Sequence, residues 1–412
     1  ASVQYGSDAL GGAVNVISNS IPNALDREPF ITGQLLSEYA TNNEELVGGI
    51  HLEGATKGWG YTGTLIRRSA GNMTAPDVPT FTETDNTEAP KFSGELDNTD
   101  YDQLNGSIGI GYTGNFGQIS AEYSKWSNEH NFLLPNGLGL GQNLENDVVQ
   151  IKGNINLGNN FILNPKFTYS ENLRQSNPGG ASATPRSELP DEGFAHLDIL
   201  LKSYSAKTEL EHPAVGPFRG TIGVEYNYQD QKTRGVEPLV PSATISNVAA
   251  FLFEKAEFDN FTLSVGARFD ARTHDAEPNE ALNLPDFDAG ETAEVLSQEY
   301  YEFSGSLGAT YRFTEQLALA ANIGRGFRAP SLFNLHVDGI HGGVAAYQVG
   351  NPFLDSERSL NTDLSLRWRS EKVTAKITAY RNTIRNYIFL VNSWEFANGG
   401  QGPPNLKSVQ GD

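Results

Sequence analysis

The chain has no cysteine and a single methionine. It therefore carries no disulfide framework, which fits a chain that crosses an oxidising compartment without stray cross-links. It has no run of about eighteen apolar residues, so it has no transmembrane helix. Basic residues are scarce: 29 Lys and Arg stand against 50 Asp and Glu, for a net charge of −21. That balance excludes nucleic acid as a partner class. The chain start, Ala1 to Ser20, lacks both the charged and the apolar region of a signal peptide. An exported chain needs one, so the numbering is expected to begin inside a longer protein. There is no G-x-S-x-G elbow, no H-E-x-x-H helix and no D-x-[DN]-x-[DN]-G calcium loop. No catalytic constellation, no enzymatic activity and no resident cofactor is expected.

What is present is a rhythm of period two. In FTLSVGARFDART, from Phe261, the residues Phe261, Leu263, Val265, Ala267 and Phe269 share one face, and Thr262, Ser264, Gly266, Arg268 and Asp270 share the other. Tyr301–Phe313 and Val373–Asn382 repeat the pattern. Segments of about ten residues, apolar outward and polar inward, mark a barrel whose outside faces lipid and whose inside faces water. Only 38% of residues are hydrophobic and mean hydropathy is −0.41, as half-apolar strands require. Tyr and Phe recur near strand ends, at Tyr39, Tyr61, Tyr112, Tyr169, Tyr226, Tyr300 and Tyr380, where aromatic girdles would stand.

The connections sort by length. Thr56–Gly58, Gly114–Phe116, Gly158–Asn160, Pro213–Pro217, Asp259–Asn260, Thr314–Glu315 and Ser370–Glu371 are tight. Ala70–Asp102, Asn128–Glu145, Ser176–Gly193, Thr233–Ser242, His274–Ser297 and Arg325–Ser359 are long, and the two sets alternate after a short first member near Thr41–Glu44. An up-and-down antiparallel barrel with short periplasmic turns and long extracellular loops produces this order. The acid gathers in two loops, Asp77–Asp102 and His274–Glu299. They read as solvated loops that keep the surface soluble, with divalent-cation binding as the alternative.

Two stretches carry a resemblance. YGSDALGGAVNVIS, Tyr5 to Ser18, with Tyr5, Gly6, Gly11, Gly12 and Asn15, resembles the end of the plug domain of TonB-dependent outer-membrane receptors. NIGRGFRAPSLFNL, with Arg325, Gly326, Phe327, Arg328 and Pro330, followed by GNPFLDSERSLNTDLSL, with Gly350, Asn351, Pro352 and Glu357, is similar to the late barrel of that family, and AYRNTIRNYI, Ala379 to Ile388, to its next strand. The resemblance implies a plug tail over residues 1–20 and a barrel over 21–412, incomplete at its end. About 22 strands are expected in the whole protein, and roughly fifteen or sixteen here. It implies TonB-dependent import of a metal or metal chelate (siderophore-like, haem or zinc) across the bacterial outer membrane. The expected partners are the TonB energy-transducing complex, reached through the missing N-terminal part, outer-membrane lipid and lipopolysaccharide, and the metal or metal-chelate substrate. The alternatives are a passive porin-like channel, a non-transporting surface adhesin or a soluble β protein.

Candidate site residues lie in LHVDGIHGGVAAYQVG, where His336, Asp338 and His341 offer imidazole and carboxylate donors suited to Zn²⁺ or iron. The competing reading makes them ordinary polar loop residues. His130 has the same exposed prospect, and His51 reads as a lumen-facing strand residue. Arg268, Arg312, Arg325, Arg328, Arg367 and Arg369 read as lumen cations that bind acidic plug residues, with a funnel for an anionic iron chelate as the alternative.

Overall fold

The computed structural model describes residues 3, 6, 7, 10, 21–26, 28–76, 94–133, 139–178, 196–236, 238–278, 296–341, 346–396 and 404–411. Their strands are β1 (Phe30–Ala40), β2 (Glu45–Thr56), β3 (Trp59–Ala70), β4 (Met73–Ala75), β5 (Gly94–Leu96), β6 (Tyr101–Gly114), β7 (Gly117–Leu133), β8 (Gly139–Gly158), β9 (Phe161–Pro178), β10 (Leu197–Val215) and β11 (Phe218–Thr233). They continue with β12 (Ala243–Phe258), β13 (Phe261–Ala276), β14 (Ser297–Arg312), β15 (Leu317–Arg328), β16 (Asp338–His341), β17 (Ala346–Val349), β18 (Glu357–Arg369), β19 (Thr374–Arg385), β20 (Tyr387–Phe396) and β21 (Pro404–Gly411). A short helix, α1 (Leu332–His336), lies between β15 and β16.

Fifteen of these strands form one antiparallel sheet in the order β1-β2-β3-β6-β7-β8-β9-β10-β11-β12-β13-β14-β15-β18-β19. Every neighbour in the order is the next barrel strand in the chain, so the sheet is an up-and-down meander. The β4–β5 pair and a four-stranded sheet, β16-β17-β21-β20, stand apart from it. No helix among the described residues is long and apolar enough to cross a membrane.

The period-two pattern explains which face each side chain takes. On β13, Gly266, Arg268, Asp270 and His274 are buried while Phe269 is exposed. Phe269 pairs with Phe303 and Val265 with Leu307, on the outer face. Asp270 pairs with buried Glu302 on the inner face. Large apolar groups such as Ile222, Val248, Phe269, Phe303 and Leu307 are therefore turned outward, where lipid rather than water solvates them. His51 stands on the inward face of β2 and meets Thr64 at 2.8 Å.

The tight turns fall where the sequence puts them. The turn between β8 and β9 is Asn159–Asn160, with φ of 51° and 62°. Two successive left-handed residues make the turn whose twist matches an antiparallel hairpin, and asparagine tolerates that conformation. The long connections are narrower than the sequence suggests. β7 runs to Leu133 and β8 starts at Gly139, so His130 sits on a strand, opposite Gln142 and Tyr101, and not in a loop. Strands that rise out of the membrane are wet on both faces, so the apolar alternation fades while backbone pairing continues. The acidic-loop reading falls largely on residues 77–93 and 279–295, which lie outside the described residues, as do Tyr5, Gly11, Gly12 and Asn15.

Candidate functional site at the lumen and mouth

Inside the wall, ionisable side chains recur at every second residue of β13: Arg268, Asp270, Arg272 and His274. Arg268 is 2% exposed and Asp270 and His274 are fully buried. The Arg268 guanidinium holds Asp270 Oδ1 at 2.8 Å through Nη2 and Glu225 Oε2 at 2.9 Å through Nη1. Asn247 Nδ2 adds a donor to Asp270 at 3.2 Å. A guanidinium shared by two carboxylates offsets part of a charge that a low-dielectric wall carries poorly. Gly6 takes φ of 75° and lies against this group; a Cβ there would stand 2.7 Å from Arg268 Nη2. A second knot joins β9, β10 and the loop after β11. Arg234 donates to buried Asp198 at 2.8 Å, and Gln175 Nε2 donates at 3.2 Å. Beside the first knot is a polar cavity of 260 Å³ edged by Ser7, Glu225, Asn247, Arg268 and Arg272.

The described partners of these arginines lie on the barrel wall, and the one acid of the tail, Asp8, is outside the described residues. Arg268 pairs with Asp270 and Glu225, Arg325 with Glu302 at 3.2 Å, and Arg328 with Glu357 at 2.5 Å, all on the barrel wall. Arg312 donates to the carbonyl of Asp259 in a tight turn, and Arg367 and Arg369 are exposed near the other end of β18. Arg325 stands in register with Leu360 and Gly305, on the outward row. The signal for Glu225, Asp198 and Glu302 was present as acids at inward positions, but pairing across strands needs the register.

The segment between β15 and β18 caps the mouth. Pro330 lacks an N–H to continue the ladder. Ser331 then caps α1: its Oγ accepts from Asn334 N at 3.1 Å, while Asn334 Oδ1 accepts from Ser331 N at 3.1 Å. Leu332 and Val337 pack with Val240 and Ala243, and Leu335 packs with Leu354 and Ile388. Gly350 N donates to Val337 O at 2.7 Å. A Cβ on Gly350 would meet the Leu335 carbonyl at 2.5 Å, so only glycine lets the two backbones touch. Glu357, 1% exposed, accepts from Arg328 Nε and, at 2.6 Å, from Ile388 N. The R-G-F-R-A-P-S and G-N-P…E stretches are thus two halves of one knot that ties β15, β18 and β20.

His336 is buried in α1, and neither ring nitrogen is hydrogen-bonded among the described residues. Burial holds its pKa down at about 4, so it is neutral at neutral pH. His341, on β16, lies against the Phe333 ring at 5.4 Å between centroids. Asp338 accepts from Tyr347 Oη at 2.6 Å. Burial and then that bond push the Tyr347 hydroxyl up to about 12. Among the described residues no three His, Cys, Asp or Glu side chains stand together as a metal site. His336, Asp338 and His341 share the cap, but each faces a different neighbour. His274, whose Nε2 accepts from Arg272 Nε at 2.7 Å, lies below α1 and was not singled out by the sequence.

Known proteins share this architecture. A ferric enterobactin receptor of Pseudomonas aeruginosa is 31% identical over 110 residues, 24% of this chain and 15% of the relative. The hemophore receptor HasR of Serratia marcescens, solved with its hemophore HasA and heme, superposes with a TM-score of 0.66 at 17% identity, over 94% of this chain and 59% of HasR. The siderophore receptor PirA of Pseudomonas aeruginosa superposes with a TM-score of 0.63 at 18% identity, over 100% of this chain and 65% of PirA. The chain thus spans about three-fifths of the length of these solved receptors. The model of the TonB dependent receptor-like β-barrel matches residues 19–405, so this chain belongs to the TonB-dependent receptor family and its barrel is one of the bacterial outer membrane.

Proposed function

We propose that the chain is the barrel, with the tail of its plug, of a receptor that imports a metal or metal chelate through the outer membrane. In this reading residues 1–20 end the plug and 21–412 belong to the barrel. The observation that carries it is the seating of the tail on the inner wall. Ala329 N donates to Ser7 Oγ at 3.4 Å, Asn361 Nδ2 donates to Leu10 O at 3.1 Å, and Gly6 fits over Arg268. A lumen occupied by its own chain favours gated import over an open porin-like channel. Its relatives include ferric enterobactin, siderophore and hemophore receptors, which supports a chelated metal or haem as the cargo. Energy then comes from TonB acting on the plug.

His336 and His341, with Asp338, belong to this proposal as contacts for the cargo at the mouth. Two imidazoles and a carboxylate fall short of a closed site, so the cargo's own atoms or another loop complete the set. The test is uptake and titration by the full-length receptor. Ferric chelates, haem and free Zn²⁺ are offered with and without an energised inner membrane. Binding of one of them and loss of uptake on de-energising supports import; equal passage in both states refutes it. Replacing His336 and His341 by Ala should weaken binding of that cargo about 10–100-fold. Unchanged affinity removes the histidines from the cargo site.

A further inference from the structure

The inward face of β6 and β7 carries a pocket unlike the ion-paired wall of β10 to β13. Tyr101 stands opposite His130 in the β6–β7 register, and Asn128 and Phe132 flank His130 on the same face of β7. At about 3.3 Å per residue and a tilt of about 40°, His130 stands roughly 33 Å above Gly117 at the foot of its strand, beyond an apolar band about 25 Å tall. With Met73 and Gln103 these side chains line a cavity of 410 Å³. No Lys, Arg, Asp or Glu lines it. Its size falls in the lower part of the range of small-molecule sites, about 300–1,000 Å³.

The walls of the pocket are fixed from behind. Asn42 clamps the β4–β5 hairpin: its Oδ1 accepts from Thr74 N at 3.0 Å and its Nδ2 donates to Thr74 O at 2.9 Å. Met73 N then donates to Thr99 Oγ1 at 2.7 Å. Tyr101 Oη donates to Glu45 at 2.6 Å, which holds the phenol ring in place. Asn131 Nδ2 donates to Asp100 at 2.8 Å at the end of β7. Two polar atoms are left over. Asn128 Oδ1 and His130 Nδ1 are buried and have no hydrogen-bond partner among the described residues. Burial lowers the His130 pKa, so its ring is neutral at neutral pH.

We propose that this pocket is a subsite for an uncharged aromatic amide arm of the imported chelate. The ring lies among Tyr101, His130 and Phe132, whose rings favour an aromatic neighbour over a saturated one. The amide N–H donates to Asn128 Oδ1, and the amide oxygen accepts from His130 in the tautomer protonated at Nδ1. A bare metal ion finds no charged donor here, and the anionic oxygens that hold a ferric ion find no counter-charge. The pocket therefore selects a chelate by its periphery and leaves the metal centre to other groups. That the ring arrives on the cargo rests on the import reading; that the pocket holds such a ring does not.

Full-length receptor held in an amphiphilic polymer is titrated with para-fluorobenzamide, and the fluorine line is read by NMR. A Kd on the order of millimolar is expected for a probe of this size. Benzamide should displace it, and cyclohexanecarboxamide, whose ring is saturated, should displace it far less. Phe132→Ala and Asn128→Leu should each weaken binding about 5–10-fold. Phe269→Ala, on the lipid face of β13, should leave it intact. Folding of each variant is read by heat modifiability. Absence of binding to the unaltered receptor overturns the proposal, as does undiminished binding in folded Phe132→Ala, which puts the probe elsewhere. Equal displacement by the two amides overturns the aromatic ring. Each of these failures leaves import itself to the energised uptake assay, which reads it separately.

Discussion

Replacing Glu357 tests the knot that joins the two halves of the late-barrel sequence. Its carboxylate is 1% exposed and accepts two donors, Arg328 Nε on β15 and Ile388 N on β20. Glu357→Ala leaves both without an acceptor. A buried amide without a partner costs about 1–3 kcal/mol, and a hydrogen bond to a charged group contributes about 1.5–3 kcal/mol. The Arg328 side chain is 35% exposed, so water recovers part of the second loss. The net expectation is about 3 kcal/mol. Glu357→Gln keeps an acceptor for Ile388 and loses only the charge, for about 1 kcal/mol. Urea-driven unfolding of the full-length protein from lipid vesicles reads the global term. Hydrogen exchange at the Ile388 amide reads the local one, which should rise in the Ala variant and stay low in the Gln variant. If Glu357→Ala stays within about 0.5 kcal/mol of the unaltered protein and Ile388 remains protected, the knot does not hold the cap.

Val265→Arg should cost about 2–4 kcal/mol in vesicle refolding, because Val265 pairs with Leu307 on the lipid face. Gly266→Arg meets Val3 instead and should spare refolding of the wall while loosening the segment around Val3, read by protease sensitivity there. Glu95, in the connection from β3 to β6, and Glu371, in the turn from β18 to β19, lie beyond opposite ends of the barrel strands, so with cysteine at each an impermeant thiol reagent on intact cells should label the first and not the second; equal labelling refutes the topology. The buried His336 sets a pH dependence for the cap. Its pKa falls from 6.5 when free to about 4 when α1 is docked, so the released form binds more protons between those values. Docking therefore weakens as pH falls from about 6.5 to 4, by about 3 kcal/mol at the limit. Proteolysis within 329–356 should accelerate over that window and be flat above it. His336→Phe, which carries no proton, should make the profile shallower, and the buried His274 sets what remains.

Strand order, turn positions and the outward face of the barrel could be read from the chain because period two and turn chemistry are local. Asn159–Asn160 announces its hairpin within two residues, and Val265 and Phe269 announce their face within five. The wall's ion pairs resisted the same reading. Arg268 and Asp270 are neighbours on one strand, but Glu225 reaches Arg268 only through the registers of β11, β12 and β13. The loops are shorter than the sequence suggests because polar alternation gives no sign of where water replaces lipid, as at His130. The histidines at the mouth were legible as residues and not as a group. The capping of α1 by Ser331 and the Gly350 contact turn His336 inward, towards the β13 side of the mouth, while His341 lies on Phe333.

The self-paired wall has a mechanical consequence. Arg268 is held by Asp270 and Glu225, both on the wall, and Gly6 only rests against it. Sliding the described tail residues away therefore separates no opposite charges. It breaks the Ser7 and Leu10 hydrogen bonds, each worth about 1 kcal/mol, over roughly one bond length. That work corresponds to a pull on the order of tens of piconewtons. A wall that satisfies its own charges acts as a low-friction bearing: it holds a segment in place by shape and releases it to a modest, directed tug.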